Sequence, residues 1–218
     1  MKSIRRNFRS LTTATAVFAT TCTSAFAAQD AEADKFQKQM QGHWTSISCE
    51  LRPQTGQDGK VQSWYLKRSF RIDGTQLQAE FISYADNACQ APLWKLEFSA
   101  IASDAGPWAG LKGARKVDLS VDLNTRVTPL MQGFADFLNS AGESSCGGAK
   151  AEVGKALDIK HGCKAFGMPA NKIVKEAEVL AIVNDMLFFA ARPVDGSSPT
   201  DDSKRINALQ VPLVRAKP

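Results

Sequence analysis

Glu50, Arg52, Arg68 and Arg192 are the side chains of this chain whose types and spacing suit them best to ion-pair or head-group chemistry. Glu50 and Arg52 stand two apart, so on a β-strand they share one face, where Arg68 or Arg192 can join them. Such a group can order the rim of a sheet as an ion-pair network. Alternatively, its guanidinium fork can hold an anionic head group, a role in which lysine is a poor substitute. Glu50 with Asp86 would supply the acid pair of a hydrolase, but nothing in the sequence sets them around a scissile bond. His43 and His161, the two histidines, are far apart and lack a partner motif. No Gly-x-Ser-x-Gly, His-Glu-x-x-His or phosphate-cradling glycine loop occurs. Asp195-Gly196 and Asp201-Asp202 have the composition of turns rather than of a calcium loop. The chain is therefore expected to be non-catalytic and to carry no cofactor or metal.

The cysteines beside these residues point to an oxidising compartment. Met1 to Arg9 is basic, Leu11 to Phe26 is mildly apolar, and Ala25-Phe26-Ala27 precedes Ala28. A positive start, a short apolar core and a small-residue site describe a secretory signal peptide over residues 1–27, too short to span a bilayer. Ala19-Thr20-Thr21 before Cys22 is a poor match to a lipid-modification motif. With residues 1–27 removed, Lys2, Arg5, Arg6 and Arg9 go and the formal charge falls from +5 to +1. The basic balance belongs largely to the leader, which argues against nucleic acid as a partner. The alternating charges of Lys172 to Glu178 read as solvated surface. Four cysteines then remain, Cys49, Cys89, Cys146 and Cys163, and an even count favours disulfides. Three pairings are open; proximity favours Cys49 with Cys89 and Cys146 with Cys163, worth about 4 and about 3 kcal/mol by chain entropy. No Cys-x-x-Cys spacing supports zinc. The expected location is periplasmic or secreted, without a transmembrane segment in the mature chain.

The elements that position these residues are mostly strands. After a polar N-terminal leader over residues 28–40, Trp64 to Ile72 and Leu77 to Tyr84 flank Asp73-Gly74, a hairpin signal that Gln57-Asp58-Gly59-Lys60 repeats upstream. Trp94, Leu96, Phe98 and Ala100 alternate with Lys95, Glu97 and Ser99, and Val117, Leu119, Val121 and Leu123 alternate with Lys116, Asp118, Ser120 and Asp122. That period of two marks half-buried antiparallel strands. Thr128-Pro129 reads as the N-cap and first position of a helix running to about Ser140, with Leu130, Phe134, Phe137 and Leu138 at helical spacing and Gly142 as its stop. Ala149 to His161 is ambiguous. Val179 to Val183, Met186 to Arg192 and Ala208 to Arg215 close the set, with a turn at Asn184-Asp185.

About eight strands and one helix make one domain over residues 41–218. The fold expected is mainly β, an antiparallel β-barrel of lipocalin-like general shape with one helix packed on it and two disulfides, because closure removes exposed sheet edges. An eight-stranded barrel has room for one small ligand. Trp64, Leu66, Phe70, Leu77, Phe81, Trp94, Phe98, Leu119, Val121 and Phe188 are the candidates to line its apolar interior.

Trp44, Cys49-Glu50-Leu51-Arg52-Pro53, Arg68-Ser69-Phe70, Tyr84-x-Asp86-x-x-Cys89-x-x-Pro92, Leu138-Asn139, Ser145-Cys146-Gly147, Gly162-Cys163, Leu187 to Ser198 and Pro212-Leu213 follow one another along the chain. Over roughly Gln41 to Val214 the chain resembles the domain of the adenomatosis polyposis coli down-regulated protein 1 family of Wnt inhibitors. The resemblance implies an antiparallel barrel-like domain whose apolar pocket accommodates a lipid or acyl chain. The animal proteins carry two such domains before a membrane anchor. This chain has one copy, a bacterial-type leader and a longer insertion between Pro53 and Trp64, so the pocket rather than a Wnt role is what the resemblance carries over. The partner expected is a hydrophobic small molecule such as a fatty acid or lysophospholipid, with a second envelope protein as the alternative.

Overall fold

The structure is a computed structural model that describes residues 22–55, 59–140, 146, 148–195 and 197–217, with the side chains of residues 22–29 set aside. The leader to residue 21, the Gln57-Asp58 turn, the helix stop at Gly142, and Ser145, Gly147 and Gly196 lie outside these residues. The order is α1 (Cys22–Met40), β1 (Gly42–Ser46), β2 (Glu50–Thr55), β3 (Val61–Asp73), β4 (Gln76–Tyr84), β5 (Pro92–Pro107), β6 (Arg115–Val121), β7 (Arg126–Pro129), α2 (Gln132–Ser140), β8 (Leu157–Asp158), β9 (Val174–Val183), β10 (Met186–Phe189) and β11 (Leu213–Arg215).

Every pairing is antiparallel. The ring β1-β3-β4-β5-β6-β9-β10-β11 returns to β1 and closes an eight-stranded barrel. The other three strands extend it at one end, because β3 and β5 are long enough to serve two partners each. β3 pairs β1 through Ser69–Ile72 and β2 through Val61–Leu66. β5 pairs β6 in its second half and β7 in its first, and β7 carries β8. The barrel is thus closed at one end and splits into a wider sheet at the other.

Two cores follow from this split. Inside the closed barrel Trp44, Phe70, Ile72, Leu77, Val117, Leu119, Leu180, Leu187, Phe189 and Leu213 are buried. Over the first half of β5, Val127, Ala135, Leu138, Leu157 and Ile159 gather around Cys146 and Cys163, with Trp94, Leu96, Phe134 and Phe166 against them. Disulfides join Cys49 to Cys89 and Cys146 to Cys163, closing separations of 40 and 17 residues. The first staples the β1–β2 connection to the β4–β5 connection; the second ties the segments that cover the smaller core.

Three local readings change. The residues before Gly42 are helical: Phe36 and Met40, one turn apart, are buried in the barrel core, so a second helix supplements the one expected. Thr128 and Pro129 end β7 instead of opening a helix. Pro129 pairs with Trp94 and its carbonyl accepts from Gly154 N, which commits it to the sheet, and α2 starts at Gln132. In α2 it is Ala135 and Leu138 that are buried, while Phe137 faces solvent. The turns follow their residues. Asn184 and Asp185 both have positive φ, 50° and 56°, as a two-residue type I′ connection requires. Between β3 and β4 the turn residues are Gly74-Thr75, shifted by one from Asp73-Gly74, with positive φ at Gly74.

Candidate functional site

The charged residues singled out from the sequence converge inside the barrel where it begins to split. The register explains why. Glu50 stands opposite Leu66 and Arg52 opposite Trp64, on the face of β3 that also presents Arg68 and Phe70. β9 brings Glu176 and Glu178 in from the other wall, on the same face as Leu180 and Ile182. Arg192, Gln210 and Val211 enter on the connection between β10 and β11, whose first half is pinned to the walls: Thr55 N donates to Val194 O at 2.6 Å and Ala177 N to Pro199 O at 2.6 Å.

Glu50 and Arg68 are both almost wholly buried. Arg68 Nε donates to the two carboxylate oxygens of Glu50 at 3.0 and 3.1 Å and its Nη2 donates to Val211 O at 2.8 Å. Ser46 completes the set, its hydroxyl donating to Glu50 Oε1 at 2.6 Å and accepting from Arg68 N at 2.7 Å. Burial lowers the Arg68 pKa, with Glu50 opposing the shift. A buried pair needs this degree of hydrogen bonding, since desolvation otherwise exceeds the Coulomb attraction.

Arg192 bridges the acids of β9, with Nη2 2.8 Å from Glu176 Oε2 and 2.6 Å from Glu178 Oε1. Burial opposes its charge, but Glu178 and Glu176 outweigh burial and the guanidinium pKa is raised. Glu178 is fully buried, and among the described residues neither of its oxygens receives an aligned hydrogen bond. Its pKa is pushed up to about 7 by burial, against the pull of Arg192, while Glu176 adds to the rise and the nearby Ala190 amide opposes it.

Arg52 differs from the other two arginines. It is half-buried and donates to the side-chain oxygen of Gln210, and among the described residues no carboxylate lies within ion-pair distance of it. Its pKa is lowered to about 10, by burial first and then by the Arg68 charge, with Glu50 and Glu178 partly offsetting them.

The expected pocket residues separate into four groups. Phe70, Leu77, Leu119 and Val121 are buried in the barrel core, with Phe81 and Phe98 half-buried against it. Phe70 stacks on Phe189 at 4.4 Å and meets Phe81 edge-on, and Phe81 meets Phe98 edge-on, so aromatic rings occupy the middle of the barrel. Trp94 belongs to the smaller core, against Phe134 and Phe166. Trp64 and Leu66 are half-buried beside Arg52 and Glu50. Phe188 alternates with the buried Leu187 and Phe189 and so lies on the opposite face of β10.

The remaining candidates are placed elsewhere. Asp86 accepts from the backbone N–H groups of Ala88, Gln90 and Ala91, which hold its pKa down and commit it to the turn that carries Cys89. His43 is exposed and its Nε2 lies 2.8 Å from Ser69 Oγ, on the rim of a polar groove of about 460 Å3 on the outer wall between Arg71, Glu80, Glu97 and Arg126. His161 is exposed. Asp195 and Asp201 accept from Ser197 N and Ser203 N within their own turns, and no group of three metal-ligating side chains occurs among the described residues.

Ser46, Glu176, Glu178 and Gln210 were missed from the sequence. For the two acids the signal was present: extended backward from Ile182 and Leu180, the period-two alternation reaches Glu178, Glu176 and Val174. Reading Lys172 to Glu178 as solvated surface hid it; Glu178 is 0% exposed. No helix among the described residues is long and apolar enough to cross a membrane, and no protein-family model matches the chain.

Proposed function

We propose that this is an exported β-barrel protein that binds one hydrophobic, anionic amphiphile, its acyl chain among the inward-facing apolar side chains and its head group at Arg52, without chemical conversion. The observation that carries the reading is Arg52, a half-buried guanidinium without a carboxylate partner among the described residues, set opposite Trp64 in a cluster whose other arginines are paired. Further support comes from Trp64, Leu66, Phe81, Phe98 and Val174, which share the inward faces of β3, β4, β5 and β9 yet remain only half-buried. Apolar surface therefore meets the charged cluster, the combination that an amphiphile fits. Two disulfides suit an oxidising compartment. The likeness to the Wnt-inhibitor family domain points to the same class of ligand.

Native mass spectrometry of protein purified from an oxidising compartment is expected to show a species heavier by one fatty-acid or lysolipid mass, lost on organic extraction. Only the bare mass, together with no uptake of added fatty acid, would overturn the reading. A second reading is an envelope module that works through its surface, favoured by the aromatic packing in the barrel and by exposed Ile47, Leu51 and Val61 on and around β2. It predicts the bare mass and co-purification of a partner protein.

A further inference from the structure

We propose that the head group taken at Arg52 is a carboxylate carrying a single negative charge, and that each ligand bound is accompanied by uptake of one proton from solvent onto Glu178. The inference rests on the amphiphile-binding reading and deepens it, selecting a fatty acid over a phosphate-bearing lipid.

The cluster holds three cations, Arg52, Arg68 and Arg192, and three acids, Glu50, Glu176 and Glu178. Fully ionised, it is neutral. A ligand carboxylate brought to Arg52 would leave one surplus negative charge in a poorly solvated interior, which is costly unless a proton enters with it. Glu178 is the acid placed to accept that proton. It is fully buried, neither oxygen accepts an aligned hydrogen bond among the described residues, and its interaction with Arg52 means that a new anion there is felt at its carboxyl. Once Glu178 is neutral, Arg192 still has Glu176 at 2.8 Å and Arg68 still has Glu50 at 3.0 Å. No cation is stranded except Arg52, and the ligand supplies its partner.

The other acids are worse acceptors. Glu50 accepts three hydrogen bonds, one from Ser46 Oγ and two from Arg68 Nε, and Glu176 accepts from Arg192 and retains some exposure. The charges that act on the Glu178 carboxyl are those of Arg192, Glu176 and Arg68, and among the described residues the elements packed around it bring no further one. Val117 faces it directly across β6; the neighbouring Arg115 is engaged by Asp104; and Arg205 spends its guanidinium on the Val117 and Glu178 carbonyls, Asp118 and Asp202. A phosphate monoester would bring two charges, for which the cluster has one proton acceptor.

The sign of the linkage follows. The free Glu178 carboxyl titrates near 7. Above that pH the proton must be taken up on binding, so affinity falls as pH rises, by up to tenfold per unit; below it the carboxyl is already neutral and affinity levels off. The carboxyl of a fatty acid ionises far below this window, near the value of about 4.3 for an unperturbed glutamate.

The test is isothermal calorimetry of decanoate binding to delipidated full-length protein between pH 6 and 8.5, in two buffers of different ionisation enthalpy, with decanol and decyl phosphate as comparison probes. Expected is an uptake approaching one proton per decanoate at pH 8, a matching loss of affinity above pH 7, pH-independent binding of decanol, and weaker binding of decyl phosphate. Glu178→Gln is expected to bind decanoate equally at all these pH values, and Arg52→Ala to lose at least tenfold in affinity. Decanoate binding without proton uptake, or decyl phosphate binding as tightly, overturns the inference and leaves the barrel as an amphiphile binder. No binding of any probe overturns both. The buffer comparison uses unaltered protein, so it stands even if a variant fails to fold.

Discussion

The two ends of the barrel interior are built from the same strands yet held together by different physics. At the closed end, Trp44 is fully buried beneath Phe36 and Met40, its indole N–H donates to Met40 O at 2.8 Å, and the guanidinium of Arg215 lies 4.2 Å above its ring. Arg215 also donates to Gln39 O and Gln41 O, satisfying carbonyls at the end of α1. Apolar burial dominates there, and it is non-directional and tolerant of small shifts. At the split end, six charged groups share an interior, and each arrangement of protons and partners has its own energy. If the closed end carries the stability and the charged end the proposed site, the two can be altered separately.

The largest effect expected from breaking this contrast is at the closed end. Trp44→Ala removes a fully buried side chain and its hydrogen bond to α1, and should cost about 3–5 kcal/mol, read as a lower denaturant midpoint with α1 loosened in hydrogen exchange. Retention of wild-type stability would mean that α1 is not part of the core.

At the charged end Glu50→Ala strands Arg68 without its acid in the interior, and a buried pair broken on one side costs about 3 kcal/mol or more. The sharper experiment adds Arg68→Met. If the pair serves the site and not the fold, the double variant recovers most of the lost stability, because apolar replacements of a buried ion pair are often neutral. A double variant as unstable as the single one would show that the charged end holds the fold as well.

The Cys146–Cys163 bridge tests whether the smaller core can be separated from the barrel. Replacing both cysteines by alanine removes a crosslink that closes a 17-residue separation and should cost about 3 kcal/mol. The loss is expected in the protection of α2 and β7 rather than of β9 and β10. Uniform loss across both regions would make the two cores one cooperative unit.

Much of this contrast was legible in the sequence where a strand alternates without interruption. Trp94 to Ala102 and Val117 to Val121 gave their faces, Asn184-Asp185 gave its turn, and the order of the cysteines favoured the bridges that formed. What period two cannot tell is which core a face enters. Trp94 and Phe98 share a face of β5, yet Trp94 lies in the smaller core and Phe98 against the barrel core, because β5 changes partner between them. The plug of α1 was hidden because, among its described side chains, the two apolar residues that enter the core, Phe36 and Met40, stand in a polar stretch. Thr128-Pro129 has the chemistry of a helix start, but the pairing of β7 with β5 overrode it. Of the site, Glu50, Arg52, Arg68 and Arg192 were visible as types. Glu178 was not, because an acid inside a barrel contradicts the usual meaning of charge, and the long-range closure of β9 onto β6 decides its burial.

The effect that bears most directly on the contrast is the pH dependence of folding stability due to Glu178. Burial raises its folded pKa to about 7 from 4.5. A carboxyl with a raised folded pKa contributes its stability fully below the unfolded value and loses it as pH climbs through the folded one, by about 3 kcal/mol here. Asp86 and Asp158, whose pKa values are lowered by backbone N–H donors, act with the opposite sign and mainly at more acid pH. Subtracting the stability of Glu178→Gln from that of the wild type at each pH removes those shared contributions. The two proteins are expected to be equally stable near pH 4.5 and the variant more stable by that amount at pH 8, with the change centred between. A variant less stable than wild type at pH 8 would mean that the ion pair with Arg192 outweighs the burial of the acid, and the charged end would then be cemented by Glu178 instead of being held ready to take up a proton there.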